Sequence, residues 1–320
     1  MQDPLKWVKL VVPLTFGTTV NLGWDPTMQL KYDKGLSKFY YEMTVAPINN
    51  PIQKYRTVKI LSEFSADAIR GRGTRVFEAY EINEDGQRVQ GSKNVAIKDY
   101  WLDSSREAEP TILKKILEGA DESMKAKFLT VLAWGNISID GNVDSTDRIT
   151  NDLKVGPRGY TDSDHPNALK FYLCQYQPKG PSKRAAPGLA PSTGSRLTLS
   201  VARFDSKTHQ RIVFKEVGHP IYDENSITTV FKAARDAAEG QCKQSDLRAK
   251  PSNNSLALEF MSKKEYVHRD VSSGNILIVD GKGKLSDLEY AQIIGTGGRH
   301  GVRTVCHHFL HFLTAYSSYI

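Results

Sequence analysis

An aspartate and an asparagine between two apolar segments are the residues of this sequence best suited to catalysis. They lie in Tyr266-Val-His-Arg-Asp-Val-Ser-Ser-Gly-Asn-Ile-Leu-Ile278. At this spacing, Asp270 would accept the proton of a substrate hydroxyl, and Asn275 would turn back to hold a Mg²⁺ ion against phosphate groups. His268 and Arg269 would brace the loop without reacting. The pattern predicts phosphoryl transfer, and its alternative is a polar turn between two helices.

A second aspartate follows and is a candidate metal ligand. Ile276-Leu-Ile-Val279 and Lys284-Leu285 are predicted strands of a hairpin, and Asp287 comes shortly after it. An aspartate after a hairpin is ordinarily a turn or cap residue. Because it follows Asp270 and Asn275 in order, we expect Asp287 to be the second Mg²⁺ ligand.

Upstream residues are suited to binding phosphate groups. Val95-Ala-Ile-Lys98 predicts a strand whose Lys98 would hold the α- and β-phosphates of a nucleotide, although a lysine at a strand end is more often simply exposed. Gly71 and Gly73 would let the backbone approach phosphate oxygens. Val76 occupies the place of the third glycine that such loops usually contain. The two segments together predict a nucleotide-binding loop, whereas alone each would be an ordinary turn or strand.

Lys98 needs a carboxylate partner in such a cleft. Glu109 has a suitable spacing at the start of a helical pattern, and Glu107 is the alternative. Residues two apart face different sides of a helix, so only one of the two can point at Lys98. Pro110 is tolerated only in a first helical turn, which would put Glu109 at the very start of the helix.

A predicted strand that ends at a glycine is the candidate adenine site. Ile212-Val-Phe-Lys-Glu-Val-Gly218 resembles a hinge between two lobes, in which backbone groups near Glu216 and Val217 would hydrogen-bond the adenine. A buried strand that ends at a glycine is an equally good interpretation of this segment.

The elements that must position these residues suggest an α+β fold. Predicted strands come first and helices later, which favours a cleft between two lobes. The predicted strands are Arg75–Tyr80, Asn94–Lys98 and Arg196–Arg203, and the first predicted helix contains Ile112 to Leu117. We expect an N-terminal extension (1–65), an N-lobe (66–218) with a loop-rich insertion at about 135–195, a partial C-lobe (219–304) and a tail (305–320).

Composition and charge narrow the functional classes. Lys and Arg number 43 against 36 Asp and Glu, without a dominant block of like charge, which is compatible with a cleft for a polyanionic nucleotide. No basic patch interleaved with aromatic residues predicts nucleic-acid binding. Three cysteines do not suggest a disulfide framework, and the apolar run Val8–Phe16 is too short for a membrane span. We expect an intracellular protein, cytoplasmic or nuclear, with no membrane partner.

With these motifs in order, the chain resembles the fungal-type protein kinase family over about Leu22 to Thr304. The resemblance implies a two-lobed protein-kinase-like fold, ATP and Mg²⁺ as ligands, and a protein hydroxyl as substrate. It rests on Leu22-Gly-Trp-Asp-Pro-Thr-Met28, Gly71-Arg-Gly-Thr-Arg-Val-Phe-Glu-Ala79, Val95-Ala-Ile-Lys-Asp-Tyr-Trp-Leu-Asp-Ser-Ser-Arg106, His268-Arg-Asp-Val-Ser-Ser-Gly-Asn-Ile-Leu277 and Leu285-Ser-Asp-Leu-Glu-Tyr-Ala291.

Three departures from the kinase pattern define the alternatives. Leu288-Glu289 replaces the usual Phe-Gly after Asp287, and Ser272 stands where Ser/Thr kinases usually carry a lysine. After Thr304 the sequence does not resemble the family's continuation, so we expect an incomplete, helix-poor C-terminal lobe and weak or no phosphotransfer. A non-catalytic pseudokinase or interaction module is therefore one alternative. A small-molecule kinase is the other, and Arg269 and the Val95–Lys98 strand argue mildly against it.

Overall fold

The computed structural model describes residues 4–47, 51–63, 73–147, 206–238 and 257–294. Several features considered above lie outside these ranges. They are Gly71, the predicted strand Arg196–Arg203, most of the predicted insertion, the three cysteines and the tail.

An antiparallel sheet of seven strands forms the first part of the fold. Its strands are β1 (Met28–Asp33), β2 (Lys38–Val45), β3 (Gln53–Glu63), β4 (Arg75–Ile82), β5 (Val95–Asp103), β6 (Val131–Asn136) and β9 (Lys207–Phe214), and a small hairpin of β7 (Ser138–Ile139) and β8 (Asn142–Val143) follows β6. The spatial order is β1-β2-β3-β4-β5-β9-β6. Two predicted strands, Arg75–Tyr80 and Asn94–Lys98, correspond to β4 and β5.

The site lysine lies in the middle of this sheet. β5 is an inner strand, because β4 and β9 pair with it on either side. Consecutive residues of β5 are buried, so both of its faces are covered, and its Val-Ala-Ile sequence suits such a strand. Lys98 is opposite Val76 of β4 and Ile212 of β9. The loop that contains Gly73 joins β3 to β4, so it enters the sheet beside the strand that carries Lys98.

In the described residues, the second part combines two helices with short antiparallel strands. Its elements are α4 (Ile227–Ala238), α5 (Ala257–Lys263), β10 (His219–Pro220), β11 (Tyr266–Val267), β12 (Ile276–Val279), β13 (Lys282–Leu285) and β14 (Gln292–Ile293). The alanine-rich face of α4 packs closely on β13, where a Cβ atom on Gly283 would lie 2.3 Å from the carbonyl oxygen of Ala233. The sheet and the helical part together confirm the predicted α+β fold.

Helix α2 (Glu109–Ile116) follows β5 and packs against the second part, and α3 (Glu122–Lys125) comes after it. Pro110 lies in the first turn of α2, where its missing N–H costs no helical hydrogen bond. Ile112, Leu113 and Ile116 are spaced along one face of the helix and are buried in the core that also contains α4 and α5. Glu109, the first residue of α2, is thereby fixed at the boundary between the sheet and the helical part.

The residues before β3 belong to the same sheet as the candidate site. β1 and β2 extend the sheet beyond β3, which itself pairs with β4, so the expected boundary at residue 65 falls within a connection between paired strands. Helix α1 (Pro4–Phe16) precedes them and contains the apolar run Val8–Phe16. Among the helices in the described ranges, none is both long and apolar enough to cross a bilayer.

A buried network of ion pairs connects the segment before β1 to strands β5 and β9 of the sheet. Arg211 of β9 is fully buried, and its guanidinium pairs with Asp99 at 2.8 Å and with Asp25 at 2.6 Å. It also donates to Thr27 Oγ1 and to the carbonyl oxygen of Thr44. Asp99 neighbours Lys98 on β5, so this network supports the strand that carries the site lysine.

His209 extends the same network. Its Nε2 lies 3.0 Å from Asp99 and its Nδ1 lies 3.0 Å from Asp144, while Trp101 stacks on the ring. Ligand atoms of Asp25, Asp99 and His209 lie within 4.8 Å of one another. The Arg211 guanidinium already supplies positive charge to both carboxylates, so these residues need no metal ion.

We expect stability to fall as the pH rises because of His209. Burial alone would lower its pKa, but hydrogen bonds to Asp144 and Asp99 outweigh it and raise the pKa to about 9. A histidine with a raised pKa contributes its full stabilisation below its unfolded value, about 6.5, and loses it as the pH rises through 9. The free energy of unfolding, measured by urea titration, should therefore drop by on the order of 2–3 kcal/mol from pH 6 to pH 9.5.

His209→Gln should flatten this dependence, because glutamine carries no ionisable proton. His219→Gln is the matched control, since His219 is half-exposed and pairs only with Glu224 among the ion pairs described. An equally steep fall in His209→Gln would contradict this role of His209.

Candidate active site

Lys98 is surrounded by carboxylates at the boundary between the two parts. Its Nζ lies 2.8 Å from Glu109 Oε2 and 2.7 Å from Asp287 Oδ1. Glu107, the alternative partner, instead pairs with Lys115 at the surface. The structure therefore brings together β5, the start of α2 and the segment after β13, which are far apart in the sequence.

The electrostatics of this group favour a charged lysine. Lys98 is buried, and burial alone would lower its pKa, but the charges of Asp287 and Glu109 outweigh this and raise the pKa well above its usual range. Lys98 is thus a fixed positive charge of the kind that binds phosphate oxygens.

The backbone around Asp287 has an uncommon conformation. Asp287 lies in the left-handed region with φ 60°, and the peptide N–H of the next residue, Leu288, donates to Glu109 Oε1 at 3.1 Å. Glu109 therefore binds Lys98 through one carboxylate oxygen and the chain after Asp287 through the other. Such conformations cost energy and are frequent at functional sites.

The catalytic-loop candidates are connected to the same segment through Ser286. The Ser286 N–H and hydroxyl both donate to the carbonyl oxygen of Asn275 at 3.0 Å. His268 Nε2 lies 2.9 Å from the Ser286 carbonyl oxygen, and burial lowers the pKa of His268, so the neutral ring donates this bond. His268 thus braces the loop against the residue before Asp287.

Asp270 and Asn275 contact each other directly. The Asn275 amide donates to the Asp270 carbonyl oxygen at 2.8 Å and lies 3.4 Å from its carboxylate. Arg269 between His268 and Asp270 has φ 69°, which is unusual for a long side chain, and it donates to Gln292 on β14. The hydrogen bond between Asn275 and Asp270 thus keeps the two candidate residues adjacent.

The side chain of Glu216 holds the candidate hinge in place. The Glu216 carboxylate accepts hydrogen bonds from the N–H and the hydroxyl of Thr130, each at 2.8 Å, and Lys284 Nζ lies 3.2 Å away. Within the described ranges, the backbone of Glu216 and Val217 forms no hydrogen bond with another backbone group. The Glu216 side chain thus fixes this segment against Thr130 and Lys284.

An apolar cluster lies beside this hinge. Ala96, Ile212 and Phe214 are buried in it, and partly buried side chains from both parts of the fold pack against them. These are Leu61, Val76, Val217 and Leu277, among others. Val76 of the predicted loop therefore packs against this cluster, Gly73 lies near Trp101, and Gly71 falls outside the described residues.

One residue near Lys98 was not anticipated from the sequence. The side chain of Glu289 is only 2% exposed, and its Oε2 lies 3.6 Å from Lys98 Nζ. In the sequence Glu289 is visible only as a departure from the usual Phe-Gly pair. A charged residue at a position that normally holds glycine was the available signal for a role in the site.

Comparisons with known proteins give one family and similar solved structures. The family described as "Fungal protein kinase" matches residues 1–311. Among solved structures, the "ROP18 kinase domain in complex with AMP-PNP and sucrose" is similar, at 10% sequence identity and a TM-score of 0.35, over 81% of this chain. This chain spans 58% of the length of that one. No curated protein matches.

Proposed function

Since the chain belongs to the fungal protein kinase family, we propose that it is an ATP- and Mg²⁺-dependent protein kinase that transfers the γ-phosphate to a protein hydroxyl. The observation that carries this proposal is the Lys98–Glu109–Asp287 group, with ion-pair distances of 2.8 and 2.7 Å. A lysine and a carboxylate paired in this way are required for phosphate binding in active protein kinases.

The residues present fit a nucleotide. Val76, Ala96 and Leu277 offer apolar surfaces from both parts of the fold, which suits the faces of an adenine ring. Backbone groups of Glu216 and Val217 would hydrogen-bond its polar edge. Lys98 would bind the α- and β-phosphates, and the backbone near Gly71, Gly73 and Val76 would cover them.

The residues present also fit Mg²⁺, which prefers oxygen ligands from one or two carboxylates and phosphates. Asp287 and Asn275 would hold the ion through side-chain oxygens, with Ser286 joining the segments that carry them. Bound Mg²⁺ would neutralise phosphate charge as the γ-phosphate leaves ATP.

Asp270 would orient the acceptor hydroxyl and take its proton. Its position depends on Asn275, which binds its carbonyl oxygen, and on His268, which binds the carbonyl oxygen of Ser286.

Transfer of labelled γ-phosphate from ATP tests the proposal. The full chain is incubated with Mg²⁺ and a mixture of basic and acidic proteins, and in parallel with sugars and amines. Labelled protein acceptors are the expected result, at a low level, because the sequence after Thr304 does not resemble the family's continuation. Labelling of sugars or amines alone would identify a small-molecule kinase, and no labelling of any acceptor would favour a non-catalytic module.

A further inference from the structure

Strand β1 leaves one edge of the seven-stranded sheet without a neighbour in the described residues. It is the outermost strand there and pairs with β2 alone. The Thr44 N–H donates to the Thr27 carbonyl oxygen, and successive residues of a strand turn their backbone groups to opposite sides. The N–H and C=O groups of Leu30 and Tyr32 therefore point away from β2. An edge of this kind can pair with a strand of another chain.

One face of this edge is apolar and continues from the core. Met28 and the residue opposite it, Met43, are buried in the core of the sheet. Leu30 and Tyr32 point to the same face, because side chains two residues apart share a face, yet each is 49% exposed. Phe39, opposite Tyr32, is 63% exposed, and the centres of the two rings lie 4.9 Å apart. The apolar face thus extends beyond the part of the sheet that the core covers.

The other face of the edge is charged, and its charges are paired within one chain. Lys31 pairs with Glu42, and Asp33 pairs with Arg56, whose guanidinium also lies over the Tyr40 ring. A strand added at this edge would therefore leave no charge on this face without a partner. The two faces together suit a strand that is apolar on one side and polar on the other.

Strand β1 has this pattern itself and is complementary to a second copy of β1. In an antiparallel pair with a two-fold axis at Leu30, Leu30 lies opposite Leu30 of the second copy, and Met28 lies opposite Tyr32. On the polar face Gln29 lies opposite Lys31, so its amide oxygen is placed to accept from the ammonium group. An axis at Lys31 would instead place two ammonium groups opposite each other, which is unfavourable. The sequence of β1 therefore favours the register in which exposed apolar side chains meet.

We propose that two copies of this chain form a dimer by antiparallel pairing of their β1 strands about Leu30. Backbone groups of Leu30 and Tyr32 join the two sheets, and the exposed apolar side chains are removed from water. Because β2, β3 and β4 separate β1 from the strand that carries Lys98, the dimer does not depend on nucleotide binding.

Sedimentation equilibrium of the full chain without nucleotide, over a range of protein concentrations, tests this dimer. The unaltered chain should reach the mass of two copies. Leu30→Lys places two ammonium groups at the axis, so it should raise the dissociation constant of the dimer by about tenfold or more. Leu132→Lys is the matched control, because Leu132 is 50% exposed on β6, at the opposite edge of the sheet, and it should leave the constant unchanged.

The outcomes decide whether β1 is the interface. A single-chain mass of the unaltered chain at every concentration would overturn the dimer. Equal dissociation constants for Leu30→Lys and the unaltered chain would exclude pairing through β1, and a dimer lost only in Leu132→Lys would assign the interface to β6 instead. If Leu30→Lys does not melt cooperatively, Leu30→Gln removes the same apolar contact without a charge and is judged by the same constant.

Discussion

Asp270→Asn should lower the rate of phosphoryl transfer by about 10²–10⁴-fold, the usual contribution of a general base. Asparagine has nearly the same shape but cannot accept the proton of the acceptor hydroxyl. The hydrogen bond from Asn275 should survive, because its main acceptor is the backbone carbonyl of Asp270. The measurement is the initial rate of labelled phosphate transfer to the best protein acceptor.

Two controls make this result specific. Asp280→Asn changes an aspartate in the turn between β12 and β13, outside the proposed catalytic group, and should retain the full rate. Asp270→Asn itself should still bind Mg·ATP, because Asp270 is not among the proposed nucleotide or metal ligands. An unchanged transfer rate in Asp270→Asn would remove Asp270 from the mechanism.

Arg211→Met should destabilise the fold by about 3–5 kcal/mol, because it leaves buried carboxylates without their partner. Arg211 is fully buried and pairs with Asp25 and Asp99, of which Asp99 is almost completely buried. Arg75 and His209 would still contact Asp99, whereas Asp25 would lose its guanidinium. The measurement is the free energy of unfolding from urea titration at pH 7.

Arg235→Met is the matched control for this prediction. Arg235 is an exposed residue of α4, so its replacement should change stability by less than about 0.5 kcal/mol. Arg211→Lys tests whether the shape of the guanidinium matters as well as its charge. The ammonium group of lysine cannot bind two carboxylates in the way that the planar guanidinium does, so this substitution should also be destabilising. If Arg211→Met lowers the free energy of unfolding by less than about 1 kcal/mol, the network does not hold the segment before β1.

Short sequence patterns were sufficient to predict the elements that carry the site. Val95–Lys98 indicated β5, and the apolar residues after Glu109 indicated α2. Two short strand-like runs joined by a turn indicated β12 and β13. These patterns depend on neighbours in the sequence, so they can be recognised without the fold. Pro110 also predicted the start of α2 correctly, because proline is restricted to a first helical turn.

Features that depend on distant residues could not be predicted in this way. The Arg211 network joins Asp25, Asp99 and Arg211, and only the register of β5 against β9 places the last two opposite each other. The membership of β1–β3 in the same sheet as β5 depends on long-range pairing as well. The segment containing Asp25 carried part of the family resemblance, yet its structural role became visible only in the fold.

The central claim, a competent Mg·ATP site, is tested most directly by thermal melting with and without Mg·ATP. The chain as sequenced is compared with Lys98→Ala, Asp287→Ala and the exposed control Lys93→Ala. At 100 times the dissociation constant, the ligand should add about 2.7 kcal/mol to the stability of the unaltered chain and of the control. The Lys98→Ala and Asp287→Ala variants should not be stabilised by the ligand. A cooperative melt of the unaltered chain without any shift would contradict the nucleotide site and favour a non-catalytic module.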